Sequence, residues 1–262
     1  MVTAMGKFIT IHSFKGGTGK SFLAVNLATL YAMQGKKVAL LDLDFRAPTL
    51  HVVFEPMLLK CWINNVLDGS INVKECIEDC SDRIDNKGKL FVSFADFSTE
   101  AIREMVSKGK KWEIEALQRI LQMRRDLLDN LNFDIVIADT SPGIQYLAIN
   151  AVVAADIALV VSTLDDSDIN GTTRMIRELY DVFEKKTAII VNKAIGYWNM
   201  NDGEKSKIMD IFHEEYKDTV IGVLPCFCEV GAMKRASVFV LKEPKHPFTK
   251  MIENIAARID AL

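Results

Sequence analysis

Two lysines, three glycines and a serine crowd into Lys15-Gly16-Gly17-Thr18-Gly19-Lys20-Ser21, directly after the apolar run Phe8-Ile9-Thr10-Ile11. Glycine reaches backbone angles that other residues avoid, so a loop rich in it can turn several N–H groups inward onto a phosphate. The residues that follow have helical character, and a helix N-terminus brings partial positive charge to the same place. In that setting Lys20 is placed to hold β- and γ-phosphates, and the Ser21 hydroxyl to ligate Mg²⁺. Thr18 and Phe22 complete the loop. The stretch departs from G-x-x-x-x-G-K-[ST] at its first position, where Phe14 stands, followed by Lys15. A glycine turn with incidental lysines would not require the strand before, the helix after and the Lys-Ser pair together.

Three further groups stand at strand ends. "VALLDLDFRAPTL" closes a strand with Asp42 and Asp44, which share one side by the period of two. Carboxylates at the C-terminal edge of a strand lie where ligands bind in open α/β sheets, although a helix cap or a turn would also use them. "FDIVIADTSPG" is an apolar strand ending in Asp139, with Gly143 four residues on. Asp139 can hold Mg²⁺ through a water, and a D-x-x-x-G turn leaves a backbone N–H near a γ-phosphate. "IIVNKAIG" ends in Asn192-Lys193 with Ile195 where a guanine site of the N-K-x-D type needs a carboxylate. Guanine is therefore disfavoured, and the Asn192 amide can pair with adenine.

These residues need elements to hold them. Short β-branched apolar runs at 8–14, 37–42, 89–95, 133–139, 157–163, 187–192 and 219–224 read as strands. Helical periodicity covers 20–34, 112–130, 144–154, 170–184, 203–215 and 249–261. Runs such as "IALVVST" and "TAIIVN" are apolar on both faces, as in a buried parallel sheet. The alternation predicts a doubly wound α/β fold, mostly parallel, with about seven or eight strands and helices on both faces. No linker-like stretch divides the 262 residues, so one domain over 1–262 is expected. Residues 54–88 are the least regular, with short helices and loops expected, and are the candidate for a partner-facing insertion. Residues 1–4 add no pattern and read as a disordered lead-in, with Met5 an alternative start.

Lys+Arg 32 against Asp+Glu 35 gives a net charge of -3, so no basic field advertises nucleic acid. Five cysteines and no secretory leader fit a reduced cytoplasmic compartment. No apolar run approaches the roughly 18 residues that span a bilayer.

"KGGTGKS" resembles the deviant P-loop K-G-G-x-x-K-[ST] of the MinD/ParA class of ATPases. The resemblance runs from Lys7 to about Leu262 and is weak between 54 and 89. It implies a P-loop NTPase fold that takes ATP/ADP and Mg²⁺. It implies that Lys15 reaches across a two-fold interface to the phosphates of a partner subunit's ATP, so the ATP state is a homodimer. It implies that Asp44 orients the attacking water as part of switch I, and that Asp42 supports the Mg²⁺ shell. The segment with Asp139 and Gly143 is similar to the family's Walker B and switch II. "GVLPCFCEV" is similar to the loop that closes over the base, which puts Pro225 and Cys226 beside it. Such ATPases are slow alone, are stimulated by a partner protein, and position or partition division, chromosome or surface-appendage machinery.

Two other readings stand beside this one. A nucleotide-gated regulatory module would keep the loop with negligible turnover. An iron–sulfur or metal carrier would use Cys226 and Cys228, although these form C-x-C rather than C-x-x-C. Cys76 and Cys80 are four apart and could share a helix face. Phe248, Met251, Ile252, Ile255 and Ile259 form a stripe on the last helix, whose polar side is near neutral, so docking onto the sheet is expected rather than stable membrane insertion. Basic clusters at 107–112 and 123–126 leave DNA binding open but not favoured.

Overall fold

The structure, a computed structural model, describes residues 6–56, 59, 61–84, 88–216, 220–232 and 237–262. The readings of residues 1–4, of the start and of Thr219 fall outside them. The chain begins with β1 (Lys7–His12), α1 (Lys20–Met33), β2 (Lys37–Leu43) and the short α2 (Leu50–Phe54). Next come α3 (Ile63–Leu67), α4 (Val73–Cys76), the two-residue β3 (Glu78–Asp79) and β4 (Lys89–Ser93). α5 (Thr99–Ser107) and α6 (Lys110–Arg125), continued by a π-turn over Asp126–Asn130, lead to β5 (Ile135–Thr140) and α7 (Tyr146–Ala154). β6 (Ile157–Ser162) is followed by α8 (Asp166–Met175), which runs into a π-turn over Ile176–Tyr180. β7 (Thr187–Ala194), α9 (Asp202–Tyr216), β8 (Val220–Pro225), α10 (Cys228–Ala232), α11 (Phe239–Lys242) and α12 (Pro247–Ala261) complete the described chain.

Among the described residues eight strands form one sheet in the order β3-β4-β2-β5-β1-β6-β7-β8. Every pairing is parallel except that of β3 with β4. Strand periodicity explains the two covered faces. Val38 and Leu40 join Leu27, Leu30, Ile252 and Ile255 on one side, whereas Ala39 and Leu41 join Ile120, Leu127 and Ala151 on the other. This is the doubly wound α/β architecture of a P-loop NTPase. β1 sits between β5 and β6, and the connections from β1 to β2 and from β5 to β6 run towards opposite edges of the sheet. A crevice at the C-terminal ends of β1, β2 and β5 is the geometric consequence.

Several boundaries differ from the sequence-based expectation. β1 stops at His12, and in the turn that follows the Ser13 hydroxyl donates to the Lys15 carbonyl at 2.6 Å. α5 was not expected; it is nine residues long and none of them is buried, although Ile102, Met105 and Val106 share one helical face. Its Ser98 cap, accepting from the Ala101 N–H at 3.3 Å, was the available signal. α8 begins at Asp166 rather than 170 because the Asp165 carboxylate caps the Asp168 N–H at 3.0 Å. Within 54–88, the short helices come with one unexpected strand, β3, too short to show a pattern. Ile63, Val66, Leu67 and Val73 of this region are buried against the sheet. Cys76 ends α4 and Cys80 lies beyond β3, so the two do not share a helix face. Phe248, Ile252, Ile255 and Ile259 of α12 are buried, with Met251 packed against them, so α12 docks on the sheet. No helix among the described residues is long and apolar enough to cross a membrane.

Candidate functional site

The glycine loop runs from β1 into α1. Gly19 occupies the N-cap position at φ 97°, and no side chain caps the first turn, which leaves its N–H groups to an anion. A Cβ at Gly19 would lie 2.4 Å from the Asn192 Nδ2, so only glycine fits. Lys20 is 6% exposed. Burial pulls its pKa down, while Asp139, Asp44 and Asp168 oppose that shift. Its ammonium thus sits at the loop with carboxylates around it.

Asp42 and Asp139 are register partners on the adjacent strands β2 and β5, and both are fully buried. Neither carboxylate oxygen of Asp139 has a hydrogen-bond partner. Burial pushes its pKa up to about 7, against the pull of the nearby Ser21 hydroxyl and Lys20 ammonium. A buried carboxylate without a partner is costly unless a cation or donor arrives. Hard oxygens from Asp139 and Ser21 suit Mg²⁺, which keeps several waters and phosphate oxygens as its remaining ligands. No cluster of three His, Cys, Asp or Glu that could hold a metal forms among the described residues. Asp42 is arranged differently. Its carboxylate accepts from the N–H groups of Asp44 at 3.2 Å and of Thr49 and Leu50 at 3.3 Å. Burial, then the Asp139 charge, raises its pKa well above the usual carboxylate range.

Asp44 is also buried, and its Oδ1 accepts from the Ser141 hydroxyl at 2.7 Å and from the Ala47 N–H at 3.2 Å. Arg46 donates to the Gln145 Oε1 at 2.7 Å. The loops after β2 and β5 are therefore tied together by two contacts. Asn192 Nδ2 donates to the Thr18 carbonyl at 2.8 Å, and Lys193 Nζ to the Gly17 carbonyl at 2.6 Å. The end of β7 thus holds the glycine loop from outside. Pro225 pairs with Ala194, and the Cys226 N–H donates to the Ala194 carbonyl at 3.3 Å. The loops after β7 and β8 close on each other as a unit.

Gly143 stands at φ 78° in the turn after β5. Its N–H donates to the Ser13 carbonyl at 2.9 Å, so in this conformation that N–H is engaged by the glycine loop's lead-in. His12, fully buried, bonds the Gly143 carbonyl through Nε2 at 2.8 Å and the Tyr180 hydroxyl through Nδ1. A carbonyl can only accept, so Nε2 carries the proton and Nδ1 accepts from Tyr180. Burial lowers the His12 pKa to about 4, opposed by the Gly143 carbonyl, which keeps the ring neutral near pH 7. Lys15 is not with this group; its ammonium pairs with Asp165 at 2.6 Å and with the Ser167 hydroxyl, at the start of α8. Cys226 and Cys228 are both exposed.

Sequence reasoning brought Gly16, Gly17, Thr18, Gly19, Lys20, Ser21, Asp42, Asp44, Asp139 and Asn192 to one crevice edge, and missed His12, Ser141, Tyr180 and Lys193. A polar residue ending an otherwise apolar strand was the signal at His12. Lys193 stood in plain view beside Asn192, weighed only as part of a guanine motif.

The AAA_31 family, described as an AAA domain, matches residues 6–193. The septum site-determining protein MinD of Thermotoga maritima is 27% identical over 259 residues, covering 97% of this chain and 88% of that protein. A ParA family protein of Chlamydia pneumoniae is 26% identical over 215 residues, covering 80% of this chain and 79% of its own. The structure of Pyrococcus horikoshii MinD complexed with Mg-ADP superposes with a TM-score of 0.75 at 19% identity, covering 98% of this chain and 96% of that one. The chain belongs to the AAA_31 family, and within it to the P-loop ATPases of the MinD/ParA type.

Proposed function

We propose that the protein, as one P-loop domain over 1–262, binds ATP with Mg²⁺, hydrolyses it slowly, and uses the two nucleotide states as a switch that positions or partitions a cellular component. The observation that carries this reading is the buried Lys20 at an uncapped helix start beside Asp139, whose two oxygens lack partners. A cation would relieve the unpartnered aspartate, and phosphate oxygens would fill the open helix start beside the lysine.

In this reading the N–H groups of Gly16 to Lys20 and the Lys20 ammonium hold the phosphates. Ser21, and Asp139 through a water, would hold Mg²⁺, which neutralises phosphate charge when bound. Asp42, whose oxygens already accept three main-chain N–H groups, shapes the loop that carries Asp44 rather than contacting the ion. Asp44 orients the attacking water, held in place by Ser141. With Nδ2 given to Thr18, Asn192 presents Oδ1 as an acceptor. Adenine offers its N6 amino group there and guanine only O6, so adenine is selected. Pro225 and Cys226 flank the base.

Lys15 would leave Asp165 and Ser167 to reach the γ-phosphate of a second copy, where it would neutralise charge developing in the transition state. Gly143 would exchange its Ser13 partner for the γ-phosphate, so that hydrolysis lets the loop return. A protein partner would set the rate of that cycle. DNA is less favoured as a partner, because Lys108 is paired with Asp68 and Glu104, and Arg124 with Asp156. The test is phosphate release from ATP and from GTP, by wild type, Lys20→Ala and Asp139→Asn. Turnover confined to ATP and lost in both variants is the expected result. Binding without turnover would move the protein to the regulatory class, and equal use of GTP would remove the Asn192 argument.

A further inference from the structure

Outside the nucleotide crevice, two thiols share one cavity. Cys61 lies just ahead of α3 and Cys76 is the last residue of α4. The Cys61 thiol donates to the Glu75 carbonyl at 3.1 Å, and the Cys76 thiol to the Trp62 carbonyl at 3.0 Å. Each sulfur therefore rests against the carbonyl next in sequence to the other cysteine. This crossed arrangement, with both cysteines lining one cavity, sets the two thiols side by side. Both line a surface cavity of about 390 Å³, together with Lys74, Glu75 and Glu78. Cys61 is partly open and Cys76 is buried.

The remaining cysteines are placed otherwise. Cys80 is buried beside β4, where its N–H donates to the Leu90 carbonyl, and burial pushes its thiol up to about 12. Cys226 and Cys228 are exposed at the start of α10. Proximity, one accessible member and one sheltered member are what a dithiol needs to close.

We propose that Cys61 and Cys76 form a redox-responsive dithiol that closes to an intramolecular disulfide on meeting a small-molecule disulfide. The Cys61 thiolate attacks one oxidant sulfur, breaking the oxidant S–S bond and releasing one thiol. The Cys76 sulfur then attacks the Cys61 Sγ of the mixed disulfide and displaces the second thiol. Both cysteine protons end on the two released thiols, so the protein loses two hydrogens and the oxidant gains them. Cys61 goes first because it is open, whereas burial holds the Cys76 thiol protonated until the mixed disulfide stands beside it. The closed loop encloses α3 and α4, whose inner residues Ile63, Leu67 and Val73 belong to the core. Oxidation would thus fasten that segment to the sheet.

The experiment treats the full-length native protein with oxidised glutathione, alkylates remaining thiols and maps the peptides by mass spectrometry. The expected product joins Cys61 to Cys76, with Cys80, Cys226 and Cys228 alkylated, and dithiothreitol reverses it. The oxidised protein should melt roughly 5–10 °C higher, as loop closure constrains the unfolded chain. Cys61→Ser should leave Cys76 free to alkylate after denaturation and abolish the rise, with its reduced melting temperature close to that of the wild type. Glutathione that stays on Cys61 without being displaced, or a bridge from Cys76 to any other cysteine, overturns the proposal. The wild-type peptide map decides even if the variant is unstable.

Discussion

Replacing Asp139 by asparagine removes one buried charge and keeps the shape of the side chain. In the nucleotide-free protein the Asp139 carboxyl is raised from 3.8 to about 7, first by burial. The unfolded chain ionises this group near the lower value, and the folded chain near the upper one. Between them the folded state keeps a proton that the unfolded state has released. The contribution to stability is therefore full below pH 3.8, falls as pH rises towards 7, and is flat above it. From pH 5 to pH 7 the fall is roughly 2 kcal/mol, or about 4–8 °C of Tm for a chain of this size. Asparagine does not titrate, and its introduction also relieves Asp42, whose pKa the Asp139 charge helps to raise. Thermal unfolding of both proteins without nucleotide should show the variant gaining on wild type by that amount between pH 5 and pH 7. Adding Mg²⁺ with ADP at pH 7.5 should reverse the ranking, because only wild type gains from the ion. A stability gap that stays constant from pH 5 to pH 7, or equal Mg²⁺ stabilisation of the two, refutes the reasoning.

Other consequences can be measured separately. Gly19→Ala forces a methyl group to 2.4 Å from Asn192 in a φ 97° conformation, and calorimetry should find nucleotide binding lost. Lys193→Met removes the tether to the Gly17 carbonyl and should weaken ATP about tenfold, the equivalent of one hydrogen bond to a charged group, with the circular dichroism spectrum unchanged. Tyr180→Phe leaves the buried His12 Nδ1 without its donor and should cost about 1–3 kcal/mol in urea unfolding.

How much was legible follows from which interactions are local. The glycine loop announces itself because its residues act within one turn of chain, and the buried strands because apolar runs need no distant partner to be read. Asp42, Asp44 and Asp139 could be placed at one edge because strand polarity does it. Their division of labour could not be read, since it depends on Thr49, Leu50 and Ser141 arriving from loops of unpatterned sequence. His12 meets Tyr180, and Lys193 meets Gly17, only after the sheet assembles. α5 escaped because it is short and mostly polar, its stripe resting on Ile102, Met105 and Val106 alone, and α8 because its acidic start resembles a loop until Asp165 is seen as a cap.

The proposed switch requires Lys15 to act across a pair of subunits. Sedimentation of wild type and Lys15→Ala with Mg-ADP and Mg-ATP, alongside phosphate release, tests that most directly, with Asp44→Ala included to arrest hydrolysis. A trans-acting Lys15 gives a dimer with ATP but not with ADP, more persistent in Asp44→Ala, absent in Lys15→Ala, and phosphate release lowered in both variants. A protein that binds and hydrolyses ATP as a monomer, indifferent to Lys15→Ala, would contradict it.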